Sequence, residues 1–160
     1  MRWLVVIMGL VALVCGSLSA AVAGPIGVGI MVGEPTGLTI KQWLGHGHAF
    51  DLGAAWSFVD DAALSVHADY LVHNPGPPEI NVGGLLFYYG LGGRIKLEEN
   101  DDRVGVRIPL GITYLFAKSH LDFFFEIAPL LDLAPETDFL VNGGFGVRYY
   151  FGRRPHAGRI

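Results

Sequence analysis

The chain has 160 residues, a length for one domain, with 51% hydrophobic and 16% charged residues, whereas an ordinary soluble domain carries about 25% charged. Its formal net charge of −4 offers no basic surface to a nucleic acid, so no such partner is expected. Beyond residue 20 no run reaches the roughly 20 apolar residues of a spanning helix. Oily composition and 23 glycines therefore point to a membrane crossed by strands.

Residues 1–23 read as a cleaved signal peptide. Arg2 is a short basic start, Trp3 to Val14 is an apolar core, and Ala21, Val22 and Ala23 are small residues before Gly24. Cleavage there removes Cys15, the only cysteine, and leaves an exported chain with no disulfide.

From Gly24 onward the apolar residues recur at every second position, the period of a strand. The first segment places Ile26, Val28, Ile30 and Val32 on one face. The second opposes Leu38 and Ile40 to Thr39 and Lys41. The third opposes Phe50, Leu52 and Trp56 to Asp51, Gly53 and Ser57. The fourth opposes Leu64, Val66 and Tyr70 to Ser65, His67 and Asp69. The fifth opposes Phe87, Tyr89, Leu91 and Ile95 to Gly92, Arg94 and Lys96. The sixth, Arg103 to Phe116, opposes Val104, Val106, Ile112 and Tyr114 to Arg107, Gly111 and Thr113. The seventh opposes Phe123, Phe125, Ile127 and Leu131 to Asp122, Glu126 and Asp132. The eighth opposes Phe145, Val147, Tyr149 and Phe151 to Gly144, Gly146, Arg148 and Tyr150. Segments of this length suit a bilayer, which about 9–11 tilted residues cross. Pro109 and Pro129 lack a ladder donor, so bulges or strand ends are expected there.

One face is unbroken and apolar, while the other mixes acids and bases in balance and interleaves them with glycine. That suits a narrow lumen in which charges must pair. The expected network is Lys41, Asp51, Asp69, Arg94, Lys96, Arg107, Glu126, Asp132 and Arg148. A last turn centred near Glu136 makes Glu126 and Arg148 cross-strand neighbours. Gly92, Gly105 and Gly146 each precede an arginine by two residues, a spacing that leaves room for a guanidinium. Trp43, Trp56, Phe58, Tyr114, Phe116, Tyr149 and Phe151 lie near segment ends, as in an aromatic girdle at a membrane boundary.

The connections alternate in character. The turns holding Glu34, Asp60, Asp61, Glu98, Glu99, Glu136 and Asp138 form an acidic, outward rim. His46, His48, His73, Lys118, His120, Arg153, Arg154 and His156 form the opposite rim, with both termini. A divalent cation among the outer carboxylates, or a transition metal at the histidines, is weaker than the plain reading of solvated turns. Ser65, His67 and Asp69 follow the order of a hydrolase triad. Residues two apart on a strand stand about 6.6 Å apart, too far for triad contacts near about 3 Å, so no enzyme is expected. No cofactor is implied.

Gly146, Tyr149 and Phe151 resemble the terminal-strand signal of bacterial outer-membrane proteins, although nine residues follow Phe151. The resemblance implies recognition by the barrel-assembly machinery. "GEPTGLTIKQWL", "SVHADYLVH" and "APETDF" are similar to a group of short bacterial outer-membrane barrels, and the region after Gly24 looks like the OmpA/OmpX type. The expectation is all-β: a signal peptide at 1–23, a closed antiparallel eight-stranded up-and-down transmembrane barrel at 24–152, and a basic periplasmic tail at 153–160. Such a barrel would lie among outer-membrane lipid and lipopolysaccharide in a structural or interfacial role. A narrow channel or small-ligand carrier, and a lipid-modifying enzyme, are the alternatives.

Overall fold

The structure, a computed structural model, describes residues 24–34, 36–57, 63–75, 84–97 and 102–152. The expected leader and basic tail lie outside these residues, as do Phe58 and most of the acidic turns. The strands are β1 (Ile26–Glu34), β2 (Gly37–Gly45), β3 (His48–Ser57), β4 (Ala63–Pro75), β5 (Leu85–Leu97), β6 (Arg103–Arg107), β7 (Leu110–Leu115), β8 (Leu121–Ala134) and β9 (Asp138–Phe151). Every pairing is antiparallel, and β9 returns to β1 with Arg148 opposite Gly29, so the pairings run in a ring.

β6 and β7 occupy one place in that ring, because both lie between β5 and β8. The nine strands thus fill eight positions, and the expected sixth segment is split at Ile108 and Pro109. The cause is a pair of prolines. Pro109 accepts from Gly90 N at 2.9 Å and Pro129 accepts from Ile108 N at 2.9 Å, but neither has an N–H to return. At Pro109 the strand ends, as expected, whereas Pro129 lies within β8 with neither a strand end nor a bulge. Arg107 faces Leu130 and Leu110 faces Ile127, one uninterrupted register. The bulges fall elsewhere, between Trp43 and Gly45 and between Val104 and Gly105.

Strand periodicity gives every position one of two environments, and burial is reversed relative to a soluble barrel. On β9, Phe145, Val147, Tyr149 and Phe151 are 41–59% exposed, while Arg148 and Tyr150 are 1% and 0% exposed. The same alternation runs round the ring, from Ile26, Val28 and Ile30 on β1 to Phe123, Phe125 and Ile127 on β8, all outward. Soluble monomers rarely expose a continuous apolar surface beyond a few hundred Å². Here it forms a belt.

The charged lumen as candidate functional site

The inner face holds five buried carboxylates and four buried cations among the described residues. They are Asp51, Asp69, Asp122, Glu126 and Asp132 with Lys41, Arg94, Arg107 and Arg148. Near-neutrality is what a lumen of low dielectric requires, since an unpaired buried charge is costly.

Arg148 is the centre of the largest group. Its Nη2 donates to Asp51 Oδ2 at 2.7 Å, its Nη1 to Asp122 Oδ2 at 3.4 Å and its Nε to Thr39 Oγ1 at 3.2 Å. The guanidinium lies 3.7 Å from the centre of the Phe124 ring. Both carboxylates are held further: Thr39 donates to Asp51, and Tyr150 and Thr113 donate to Asp122. Arg107 pairs with Glu126, which also accepts from Tyr88 Oη at 2.9 Å, and its Nε lies 3.3 Å from Asp69. Arg94 donates from Nη2 to both Asp132 oxygens at 2.8 Å, and Arg103 stands 4.0 Å from the same carboxylate.

Three expectations are corrected here. Glu126 and Arg148 are not neighbours. The β8–β9 turn has Asp132 opposite Asp138, so it centres on Pro135, and Asp122 falls opposite Arg148 while Glu126 falls opposite Gly144. A shift in the centre of a hairpin moves every cross-strand pair with it. Lys41 joins no ion pair among the described residues. Its Nζ lies 2.6 Å from His73 Nε2 and sits over the Trp43 and Tyr88 rings at 4.7 and 5.0 Å. Trp43 and His73 therefore belong to the lumen, not to a girdle or rim; they are 2% and 4% exposed. Trp43 shares the inner parity of Thr39 and Lys41, and that parity outweighs its place near a strand end. Trp56, Phe116, Tyr149 and Phe151 do face outward. Lys96 is half-buried, opposite Ser65 on β4 and Arg103 on β6.

The glycines also act differently from expectation. A Cβ at Gly92 would overlap the Asp69 carboxylate, one at Gly105 the Asp132 carboxylate, and one at Gly146 the Phe124 ring. Each glycine seats the partner of an arginine rather than the arginine two residues on: Asp69 serves Arg107, Asp132 serves Arg94, and Phe124 serves Arg148. Gly146→Val should accordingly destabilise the folded chain by about 1–3 kcal/mol, the usual cost of overpacking, read as a lower denaturant midpoint than wild type. Gly143→Ala is the control, because a Cβ there approaches nothing nearer than 3.7 Å. In the terminal-strand signal, Tyr149 and Phe151 point outward with ring centres 5.2 Å apart, whereas Gly146 lies inside under Phe124.

Ser65, His67 and Asp69 share the inner face of β4, and His67 Nε2 lies 3.9 Å from Asp69 Oδ2, beyond hydrogen-bond reach. At the rim, His48 Nδ1 is engaged by the Tyr70 hydroxyl at 2.9 Å. Tyr88, Tyr150, Thr39, Thr113, Phe124 and Asp122 complete the lumen network. Their inward parity was legible in the sequence, but their partners were not.

The ring of antiparallel strands with a polar inside defines the class: an antiparallel β-barrel. The N-terminal β-barrel domain of OprF from Pseudomonas aeruginosa has a similar structure, with a TM-score of 0.59 at 15% identity, over 80% of this chain and 98% of that one. No protein-family model matches the sequence, and no curated protein matches it.

Proposed function

We propose that the mature chain is a small integral protein of the bacterial outer membrane, with a structural or interfacial role and a lumen filled by side chains. The observation that carries this reading is the reversed burial. Ile30, Leu91 and Phe139 are 58%, 61% and 64% exposed on the outside while Asp122, Arg107 and Lys41 are 0–1% exposed within. Lipid is the solvent in which that arrangement is favourable, and a closed ring is the strand arrangement that leaves no unpaired edge in it. Its neighbours are then outer-membrane lipid and lipopolysaccharide, and Tyr149 and Phe151 are the outward pair offered to the assembly machinery.

The inside favours a plug over a pore. Eight strand positions leave space for side chains and little more. Trp43, Leu71, Leu86, Tyr88, Leu115 and Tyr150 pack together inside the ring. No catalytic role is assigned to Ser65, His67 or Asp69.

The test is refolding into detergent. The expected result is faster gel migration of the unboiled than of the boiled protein, a β-rich far-ultraviolet spectrum, and no steady conductance in planar bilayers. A chain that stays soluble and monomeric in plain buffer, with no shift on boiling, would refute the membrane reading. Steady conductance would favour the narrow channel, and lipid turnover by the refolded protein the lipid-modifying enzyme.

A further inference from the structure

The strands of the ring do not end at one height. β1 ends at Glu34, opposite Gly143 on β9, while β9 runs on toward the acidic turns to Asp138, which still pairs with Asp132 on β8. β2 begins only at Gly37, so neither strand of the first hairpin rises beside the upper part of β9. Among the described residues, Asp138–Asn142 therefore has a ladder on its β8 side alone. The next strand across is β3, three strand spacings or about 14 Å away.

Alternation decides which backbone groups lie open. Tyr150 N donates to His120 O just before β8, and the carbonyls of Val147 and Gly143 stand against Gly29 and Gly33 on β1. Even-numbered residues of β9 thus aim their backbone groups at β8, and odd-numbered ones at β1. Above Gly143 the odd-numbered residues are Phe139 and Val141. Their N–H and C=O groups have no hydrogen-bond partner among the described residues, and their side chains are 64% and 56% exposed. An open strand edge is costly in or beside lipid, and native proteins pair or cover such edges.

The edge selects its occupant. Alternating N–H and C=O groups match the backbone of an extended chain, which binds by adding a strand. Outward Phe139 and Val141, beside Leu131 and Leu133 on β8, favour apolar side chains at alternate positions of that chain. Charge sets its ends: Glu34 is exposed at the foot of the edge, and Glu136 and Asp138 at its head. A second copy does not fit. Its own edge brings the same acids, and antiparallel pairing of β9 with itself turns one barrel upside down in the membrane. The chain's other connections at this rim add Asp60, Asp61, Glu98 and Glu99, again acidic. We propose that the upper edge of β9 is a docking site for an extended segment of another polypeptide, apolar at alternate positions and basic at its ends, which continues the line of β1 beyond Glu34. The proposal rests on the reading of the chain as a membrane barrel.

Amide hydrogen exchange tests it in the ¹⁵N-labelled barrel refolded in detergent, with a synthetic peptide that alternates valine and threonine between terminal lysines. In the free barrel the Phe139 and Val141 amides should exchange fast, and that of Val147, paired with Ile30, slowly. The peptide should slow Phe139 and Val141 at least about tenfold and leave Val147 unchanged, and the same peptide ending in glutamates should do nothing. Val141→Pro should abolish the effect at Phe139 and keep the heat shift on gels, because the N–H it removes has no partner in the barrel and proline is tolerated on an open edge. No slowing by the lysine peptide means that water alone caps the edge and overturns the site, as does slowing that survives Val141→Pro. Equal slowing by both peptides overturns the basic partner. Slow exchange at Phe139 and Val141 without peptide, at any barrel concentration, means that the edge is already covered and also overturns the site. Gel migration of the same sample separates the two readings. A heat shift with Phe139 and Val141 unmoved by peptide rejects the site alone, and a missing shift rejects the barrel beneath it.

Discussion

Arg148→Met is expected to lower the unfolding free energy of the detergent-refolded barrel by about 3–5 kcal/mol, the cost of removing one partner from a buried ion pair. Methionine keeps much of the volume over Phe124 but strands Asp51 and Asp122, which face the guanidinium at 2.7 and 3.4 Å. Those carboxylates retain hydroxyl donors from Thr39, Thr113 and Tyr150, but no cation replaces the one lost. Neutralising the set, as Arg148→Met with Asp51→Asn and Asp122→Asn, should recover most of the loss. A buried charge group replaced as a whole is often close to neutral in stability. Denaturant unfolding followed by tryptophan fluorescence measures both. A double-mutant cycle also tests the register. Arg148 with Asp122 should couple strongly, and Arg148 with Glu126 should be additive within about 0.5 kcal/mol. Strong coupling to Glu126 would mean that the last hairpin turns elsewhere than at Pro135.

Phe145→Arg is the second large effect, on the same strand but the opposite face. Phe145 sits at the middle of β9, is 48% exposed, and packs its ring against Phe123 at 6.3 Å between centres. In a bilayer an arginine near the midplane of a barrel's lipid face costs about 2–4 kcal/mol. On a surface bathed in water, a change at so exposed a site would shift stability by no more than about 0.5 kcal/mol. Phe145→Leu controls for the lost ring. Comparing the two variants in lipid vesicles measures which solvent the outer belt meets. Equal stability of Phe145→Arg and Phe145→Leu would rule out lipid.

The fold was largely legible because period two is a property of the chain alone. Every strand has two faces, and the contrast between Phe145, Val147, Tyr149 and the Gly146, Arg148, Tyr150 face is written in order. Parity alone assigns Trp43 to the inner face beside Thr39 and Lys41, and position near a strand end was the weaker signal. The proline pair was legible as a loss of donors. The strand end at Pro109 was legible too, but not the continuity of β8 through Pro129, because only the neighbouring strand decides whether a missing donor breaks the ladder or its carbonyl still accepts.

Pairing within the lumen was not legible for a different reason. A partner is chosen by register, and register depends on where each turn centres, a matter of a residue or two in a short loop. A turn expected near Glu136 pairs Arg148 with Glu126, and the turn centred on Pro135 pairs it with Asp122 instead. The glycines show the same division. Their abundance and inward parity belong to the sequence, but which side chain each one seats depends on the strand alongside. The sequence by itself determined the alternation, the reversal of its faces and the near balance of inner charge, because these are local and additive along the chain. The tertiary structure decided which charge meets which, that Lys41 rests against His73 and aromatic rings, and that Trp43, Leu71, Leu86, Tyr88, Leu115 and Tyr150 gather in one cluster. Those features require strands distant in sequence to come side by side.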